Sequence, residues 1–397
     1  MAFIDELATG VVPAGAPELL SAFDLTPARA AGWTLFAFQV LGAVLEPPLL
    51  ALAHGRRQRL MRVAGLGLMA LTTLAAALAP SYWLLLAALA LYGPASGLGV
   101  NLAQAALVSG NPERSEAVLA RWTLLGLAGD LLAPLALAAS VALGFGWRGA
   151  LFAVAALAMV EAAATLRAGG GGEALEDEEP EGSLREALRT AVSCRPLLAW
   201  SAVVVLCGLM DEVLVAFGAL FLAGRLEATA TDRAAILSAW VVGGILGTAL
   251  LERFASRFRP STLLAVTGLG CTVAYAAWLA ATTWLASALT LGVAGVFASA
   301  HYPLLKARAF AALPERPHLV LAMGSLLGWL DLALPLIVGA VADGPGLFAA
   351  MLVLLAQPVG VLLSALAARH GERTKPRASG AASSRSEDSR GDGGQVE

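Results

Sequence analysis

Two long stretches of the sequence contain no charged residue. No Asp, Glu, Lys or Arg lies between Arg62 and Glu113, and none lies between Arg259 and Lys306. Each stretch is long enough for two membrane spans, since a spanning helix needs about 20 apolar residues. The whole chain is 58% apolar and 14% charged, whereas a soluble domain has about 25% charged residues. The sequence therefore excludes an ordinary soluble enzyme and predicts an integral membrane protein.

Apolar segments between polar or charged breaks predict twelve helices in two groups of six. The first group covers residues 2–22, 31–53, 61–80, 82–108, 117–143 and 147–168. The second group covers residues 197–223, 234–252, 261–281, 283–305, 319–342 and 345–368. We therefore predict two halves, 1–168 and 197–368. Residues 169–196 contain four consecutive glycines and an acidic cluster, which predicts a charged cytoplasmic linker, and the Ser-, Gly- and Arg-rich tail 369–397 is predicted to be disordered.

The basic residues fall on one side of these predicted spans. With a cytoplasmic N-terminus, all lysines and arginines lie on the cytoplasmic side except Arg29, Arg148, Arg225 and Arg233. This bias is typical of cytoplasmic loops, and it predicts a multi-pass protein of the plasma (inner) membrane with both termini in the cytoplasm. No basic stripe with interleaved aromatic residues indicates a nucleic-acid partner.

The second half repeats the first. Residues 112–128 match residues 314–330 at nine of 17 positions without a gap. One residue later, Asp130 and Pro134 recur as Asp331 and Pro335 with the same spacing. The acidic pair Asp5-Glu6 recurs as Asp211-Glu212 near the start of the second half. Recurrence of polar residues in the same order indicates a duplication of six helices.

Two parallel six-helix repeats joined by a charged linker resemble the major facilitator superfamily of secondary transporters. The resemblance covers residues 1–368 and implies an all-α membrane fold, no cofactor, a monomer, and alternating access around a site near the midplane. The family carries a Gly-x-x-x-Asp-Arg-x-Gly-Arg-Arg loop between helices 2 and 3. Three residues of this chain match that loop: Gly55, Arg56 and Arg57.

Four acidic residues are candidates for proton coupling or substrate binding. A charge at the centre of a bilayer costs about 2.5–3.5 kcal/mol on insertion scales, so such residues usually face a cavity. Asp211 and Glu212 follow 14 uncharged residues, 197–210, and are expected to lie deep in the membrane. We hypothesise that this pair, with Asp5 and Glu6, carries protons or binds a cationic substrate. The alternative is a structural role, with each carboxyl group satisfied by neighbouring helices.

The repeated acid and proline allow two interpretations. Asp130 and Asp331 each lie one turn before a proline, Pro134 or Pro335. A proline frees a backbone carbonyl of the preceding turn, so these positions suit hinges. We favour this interpretation. The same acids would also suit the wall of a cavity.

Three further polar residues are candidate substrate contacts. Asn101 and Gln104 lie three residues apart, so they share a face of their helix. His301 lies in the tenth predicted span, where a lone histidine is more often a packing residue. These side chains offer hydrogen bonds to a substrate.

The first predicted helix is short. Only four residues precede Asp5, whereas 14 uncharged residues precede Asp211. Two explanations stay open: the native chain begins about ten or more residues upstream, or the helix is short and Asp5 lies near the surface.

The leading functional hypothesis is a proton-coupled secondary transporter. Carboxyl groups in the first and seventh spans, with no buried lysine and almost no buried arginine expected, favour neutral or cationic substrates over phosphates or organic anions. We lean towards efflux by antiport of a small hydrophobic or cationic compound. Proton-coupled uptake of a neutral metabolite is the second hypothesis. The remote alternatives are a transport-dead receptor or scaffold and an intramembrane aspartyl protease using Asp130 and Asp331. No metal, serine-nucleophile or phosphate-binding motif supports enzymatic chemistry.

Overall fold

The architecture is entirely helical in the part of the chain that can be described. A computed structural model describes residues 1–52, 56–111, 114–167, 193–313 and 317–374. These residues contain no β-strand, and eleven of their helices are long and apolar enough to cross a membrane. The predicted all-α membrane fold is confirmed.

A shorter first helix precedes the eleven. We call α1 the two segments Ala2–Ala14 and Ala16–Phe23, which meet at Gly15. The other helices of the first group are α2 (Ala28–Leu50), α3 (Arg56–Leu78), α4 (Tyr82–Val108), α5 (Ser115–Ala142) and α6 (Gly146–Arg167). The second group is α7 (Arg195–Leu226), α8 (Ala230–Ala255), α9 (Pro260–Ala280), α10 (Trp284–Ala312), α11 (Pro317–Asp331 with Leu334–Asp343) and α12 (Leu347–His370). Each predicted helix overlaps one of these elements.

Six tight connections bring successive helices together at one end of the bundle, which we call the short-turn end. They comprise residues 24–27, 79–81, 143–145, 227–229, 281–283 and 344–346. Asp24 and Glu227 end their helices in the left-handed conformation, with φ of 50° and 49°. Thr229 starts α8 with a capping box to Asp232, which satisfies helix N–H groups that have no partner in the first turn. The opposite end, where most of the basic residues lie, is called the basic end.

Breaks in two helices lie at the repeated acids. In α7 a 3-10 turn, Leu206–Met210, precedes Asp211, whose φ and ψ of −123° and −124° are not helical. In α11 the helix stops at Asp331 and a new segment begins just before Pro335, because proline lacks an N–H group and its ring clashes with the preceding turn. In α5, however, the helix continues through Pro134. The repeated acid and proline therefore interrupt α11 but not α5.

Most buried apolar side chains fall into two clusters. One is built mainly from residues before 168 and the other mainly from residues after 193. Ala16, Ala31 and Leu35 of the first group pack into the second cluster, and Val215 packs against the first. The division into halves at 168 and 197 stays a prediction, as do the assignments of 169–196 to a linker and 369–397 to a disordered tail, which lie largely outside the described residues.

Two polar contacts join the groups at the short-turn end. The guanidinium of Arg233, at the start of α8, forms an ion pair with Glu18 of α1 and donates a 3.0 Å hydrogen bond to the carbonyl of Ala228. The backbone N–H of Ala28, at the start of α2, donates to a carboxylate oxygen of Asp343 at 2.9 Å. Neither contact was predicted, because hydropathy does not show which helix ends meet.

Glycine allows α1 and α5 to pack closely. A Cβ atom at Gly129 would lie 2.5 Å from the carbonyl oxygen of Phe3 and 2.9 Å from Cβ of Glu6. Both separations are shorter than van der Waals contact, so any larger residue must push α1 away.

We therefore predict that Gly129→Ala lowers the unfolding temperature of the detergent-purified protein. Gly328→Ala is the matched control, since no described heavy atom outside the neighbouring residues and backbone of its own helix lies within 4 Å of a Cβ atom there. At Gly328 the change should be neutral or stabilising by up to about 1 kcal/mol, the helix preference for Ala over Gly. Equal unfolding temperatures for the two variants would contradict the close packing.

The ion pair of Arg233 gives a second prediction. Removing one partner of a buried pair costs about 3–5 kcal/mol, whereas removing both costs less. Glu18→Gln and Arg233→Gln should each lower the free energy of unfolding, and the double variant should lower it by less than the sum. A double-mutant cycle measured by denaturant titration in mixed micelles checks this, and additive effects would show that the pair contributes nothing.

Candidate functional site

A cavity of about 680 Å³ lies between the two groups of helices. Its wall is formed by residues of α1, α5, α7, α8, α10, α11 and α12. Five carboxyl groups line it: Glu6, Asp130, Asp211, Glu212 and Asp331. The structure therefore brings together five of the six acids that the sequence singled out.

Glu6 and Asp130 form one side of the cavity. Glu6 lies on α1 and packs against Gly126 and Gly129 of α5, so the glycines that let α1 approach also make room for this side chain. The carboxyl group of Glu6 interacts with that of Asp130, and the hydroxyl of Thr9 lies 3.5 Å from an oxygen of Glu6. Two carboxyl groups hydrogen-bond to each other only when one is protonated.

Asp211 and Glu212 form the opposite side. Asp211 lies at the break in α7 and is exposed to the cavity, whereas the neighbouring Glu212 is half-buried. Glu212 accepts a 3.2 Å hydrogen bond from the amide of Gln39, a residue of α2. This bond joins the first group of helices to the second.

Asp331 packs against the break in α7. A Cβ atom at Gly208 would overlap a carboxylate oxygen of Asp331, so glycine at 208 makes room for this acid. The freed N–H of Met210 donates to the side-chain oxygen of Gln357 at 2.8 Å. The two helix breaks and Gln357 thus form one polar region on the cavity wall.

Of the other candidates, Pro134 lines the cavity, whereas Asp5 and His301 do not. Asp5 accepts hydrogen bonds from the hydroxyls of Tyr92 at 2.9 Å and Ser96 at 2.6 Å, within the first group of helices. His301 is fully buried, with Nδ1 3.3 Å from the amide nitrogen of Gln357. It therefore lies behind the cavity wall.

Asn101 and Gln104 differ in environment. Asn101 is exposed and donates a hydrogen bond to Glu46 of α2, and Gln104 is half-buried. Neither side chain lines the cavity. Of the loop motif, Gly55 lies outside the described residues, Arg56 starts α3, and Arg57 is exposed at the basic end.

One basic residue on the cavity wall was missed. Lys306 is half-buried and lines the cavity, one residue beyond the predicted end of the tenth helix. The predicted tenth helix was ended before Lys306 because the charge follows a long uncharged stretch, but α10 continues to Ala312. The Lys306 ammonium lies 5.9 Å from the centre of the Tyr302 ring, and Tyr302 also lines the cavity, as does Trp240.

No carboxylate or histidine cluster among the described residues has the arrangement of a metal site. The wall of the cavity instead offers carboxyl groups, one ammonium, two aromatic rings and many apolar side chains. These groups suit a water-filled binding site for a small molecule inside a membrane protein.

Solved transporter structures share this fold. The chain is similar to a bacterial homolog of the human lysosomal transporter Spinster in an inward-facing, unoccupied conformation (17% identity, TM-score 0.65, 92% of this chain and 93% of that chain covered). It is also similar to the nucleoside transporter NupG (13%, TM-score 0.71, 92% and 96%) and to a D-xylose-proton symporter (14%, TM-score 0.66, 92% and 94%).

At these identities the solved structures show the fold alone. Comparison with curated proteins finds no significant sequence match. A sequence profile of the Major Facilitator Superfamily, however, matches residues 1–330, most of the chain and both sides of the cavity. The chain belongs to the major facilitator superfamily of membrane transporters.

Proposed function

We propose that this transporter is proton-coupled and moves a small cationic or hydrophobic compound, with export in exchange for protons as the favoured direction. One observation carries the proposal: five carboxyl groups and a single ammonium line one cavity between the two groups of helices. An enzymatic role has no support from the family, whose members are transporters.

The balance of charges favours cations over anions. Charges 4 Å apart interact by about 4 kcal/mol at an effective dielectric constant of 20. Among the described residues of the cavity wall, an anionic substrate would meet up to five negative groups and only Lys306 as a counterion. A cationic substrate would gain from the carboxylates and also from the rings of Trp240 and Tyr302, since aromatic faces attract cations.

The same carboxyl groups suit proton exchange. Carboxyl groups that are poorly solvated and close to each other hold protons more readily than isolated ones in water. Glu6 and Asp130, which both line the cavity, are the groups that bind the proton in this proposal. A cation that enters the cavity competes with that proton for the negative charge, and this competition is what an antiporter requires.

The contacts at the short-turn end support an inward-facing state. Glu18 with Arg233, and Ala28 with Asp343, close the bundle at that end, while the cavity wall continues towards the basic end through Lys306. The basic end is assigned to the cytoplasm by its lysines and arginines. The proposal thus places the protein in the inner membrane, as a monomer with cytoplasmic termini, and the halves rock to open the short-turn end.

Proton-coupled uptake of a neutral metabolite is the second candidate. It is favoured by the likeness to a D-xylose-proton symporter and by the same carboxyl groups. The two candidates differ in the direction of coupling: an inward proton gradient drives a symported compound inwards and an exchanged compound outwards.

We predict that Asp130→Asn, Asp211→Asn and Glu212→Gln each reduce substrate-coupled proton flux by at least about tenfold, the factor that corresponds to ~1.4 kcal/mol. Each change keeps the size of the side chain but removes the group that binds the proton. The measurement is internal pH in liposomes that contain the purified protein, with an imposed pH gradient and a panel of organic cations and neutral metabolites.

Glu252→Gln is the control, because this acid is exposed near the end of α8 and lies outside the cavity wall. It should keep wild-type flux. Wild-type flux in all three cavity variants would refute the proposed role of the carboxyl groups, and flux of anions alone would refute the substrate class.

Lys306 gives a separate prediction. Its ammonium repels a cationic substrate, so Lys306→Gln should increase the apparent affinity for organic cations by roughly two- to tenfold, which is about 0.4–1.4 kcal/mol. Lys306→Arg keeps the charge and should leave the affinity nearly unchanged. Competition binding in detergent measures both, and weaker cation binding by Lys306→Gln would contradict the prediction.

A further inference from the structure

A second, apolar groove of about 400 Å³ lies on the outside of the second group of helices, apart from the central cavity. It is formed by α8, α9 and α10, and its wall consists almost entirely of aliphatic and aromatic side chains. Phe254 and Phe258, with ring centres 6.0 Å apart, line it where α8 ends. Val266, which is 54% exposed, lines it on α9.

Three arginines lie next to lining residues of this groove along the chain. Arg253, Arg257 and Arg259 alternate with the two phenylalanines along the chain, and all three side chains are exposed. The turn that carries them is ordered: the N–H of Arg257 donates to the carbonyl of Phe254 at 3.0 Å. Glu252 is the acid nearest to them along the chain, so this segment carries net positive charge.

Arg259 also precedes a long helix. It is the N-cap of α9, which begins with Pro260 and runs for 21 residues. The N-terminus of a helix carries partial positive charge, which favours a nearby anion. Here that end coincides with the exposed arginines and with the mouth of the groove.

We propose that this groove binds one anionic phospholipid. An acyl chain lies along the apolar wall between α8 and α10, and the phosphate headgroup is bound by Arg257 and Arg259 at the start of α9. Basic pockets between membrane helices on the cytoplasmic side recognise such headgroups, and the groove reaches the basic end, where Phe254 and Phe258 line it. Charge complementarity selects an anionic lipid over a zwitterionic one, since both have the same acyl chains.

The test is native mass spectrometry of the purified full chain after incubation with equal amounts of phosphatidylglycerol and phosphatidylcholine of identical acyl chains. The wild-type protein should retain phosphatidylglycerol preferentially. The double variant R257Q/R259Q should reduce that preference about 25-fold, since each arginine near a membrane surface contributes roughly fivefold. Val266→Trp, which fills the groove, should reduce retention of both lipids.

A matched control exists in the first group of helices. Arg57 and Arg59 have the same spacing, are exposed at the same end and lie away from the groove. R57Q/R59Q should keep the wild-type preference, which separates a site from a general effect of surface charge. Equal retention of the two lipids by the wild-type protein, or an equal loss in both double variants, would overturn the proposal, as would wild-type retention in Val266→Trp.

Discussion

Carboxyl groups deep in a membrane need either water or a polar partner, since an unsatisfied charge in hydrocarbon costs several kcal/mol. In this protein that constraint organises the interior. Asp5 is satisfied within the first group of helices by Tyr92 and Ser96, whereas Glu212 depends on Gln39 of the other group. The remaining acids surround a cavity that neither group could form by itself. Polar satisfaction and contact between the groups are therefore linked.

The helix breaks are points about which segments of α7 and α11 can move. Asp211 and Asp331 lie where α7 and α11 lose regular geometry, and the freed N–H of Met210 is bound by Gln357. Few hydrogen bonds must be exchanged if helix segments move about such points, because the backbone groups there already depend on side chains. Continuity of α5 through Pro134 leaves a rigid partner on the other side of the cavity.

Much of this fold was predictable from the positions of charged residues, because helix ends must lie where charge reaches water. The five acids of the cavity wall were likewise predictable, since an acidic residue within an apolar membrane segment is costly and usually faces a cavity. Lys306 was missed because hydropathy ends a span at the first charge, although the helix continues. The pairing of Glu18 with Arg233, and the burial of His301 behind Gln357, depend on which helix faces meet. The hydropathy pattern along one chain does not contain that information.

The central claim is that protons and a cationic substrate compete for the same carboxyl groups. The most direct measurement is the number of protons released into weakly buffered detergent solution when a saturating organic cation, such as tetraphenylphosphonium, is added to the purified protein. The wild-type protein should release protons when the cation binds. Fewer protons should be released when Glu6 and Asp130 are both replaced by their amides. Saturable binding without proton release, or release unchanged in that double variant, would contradict it.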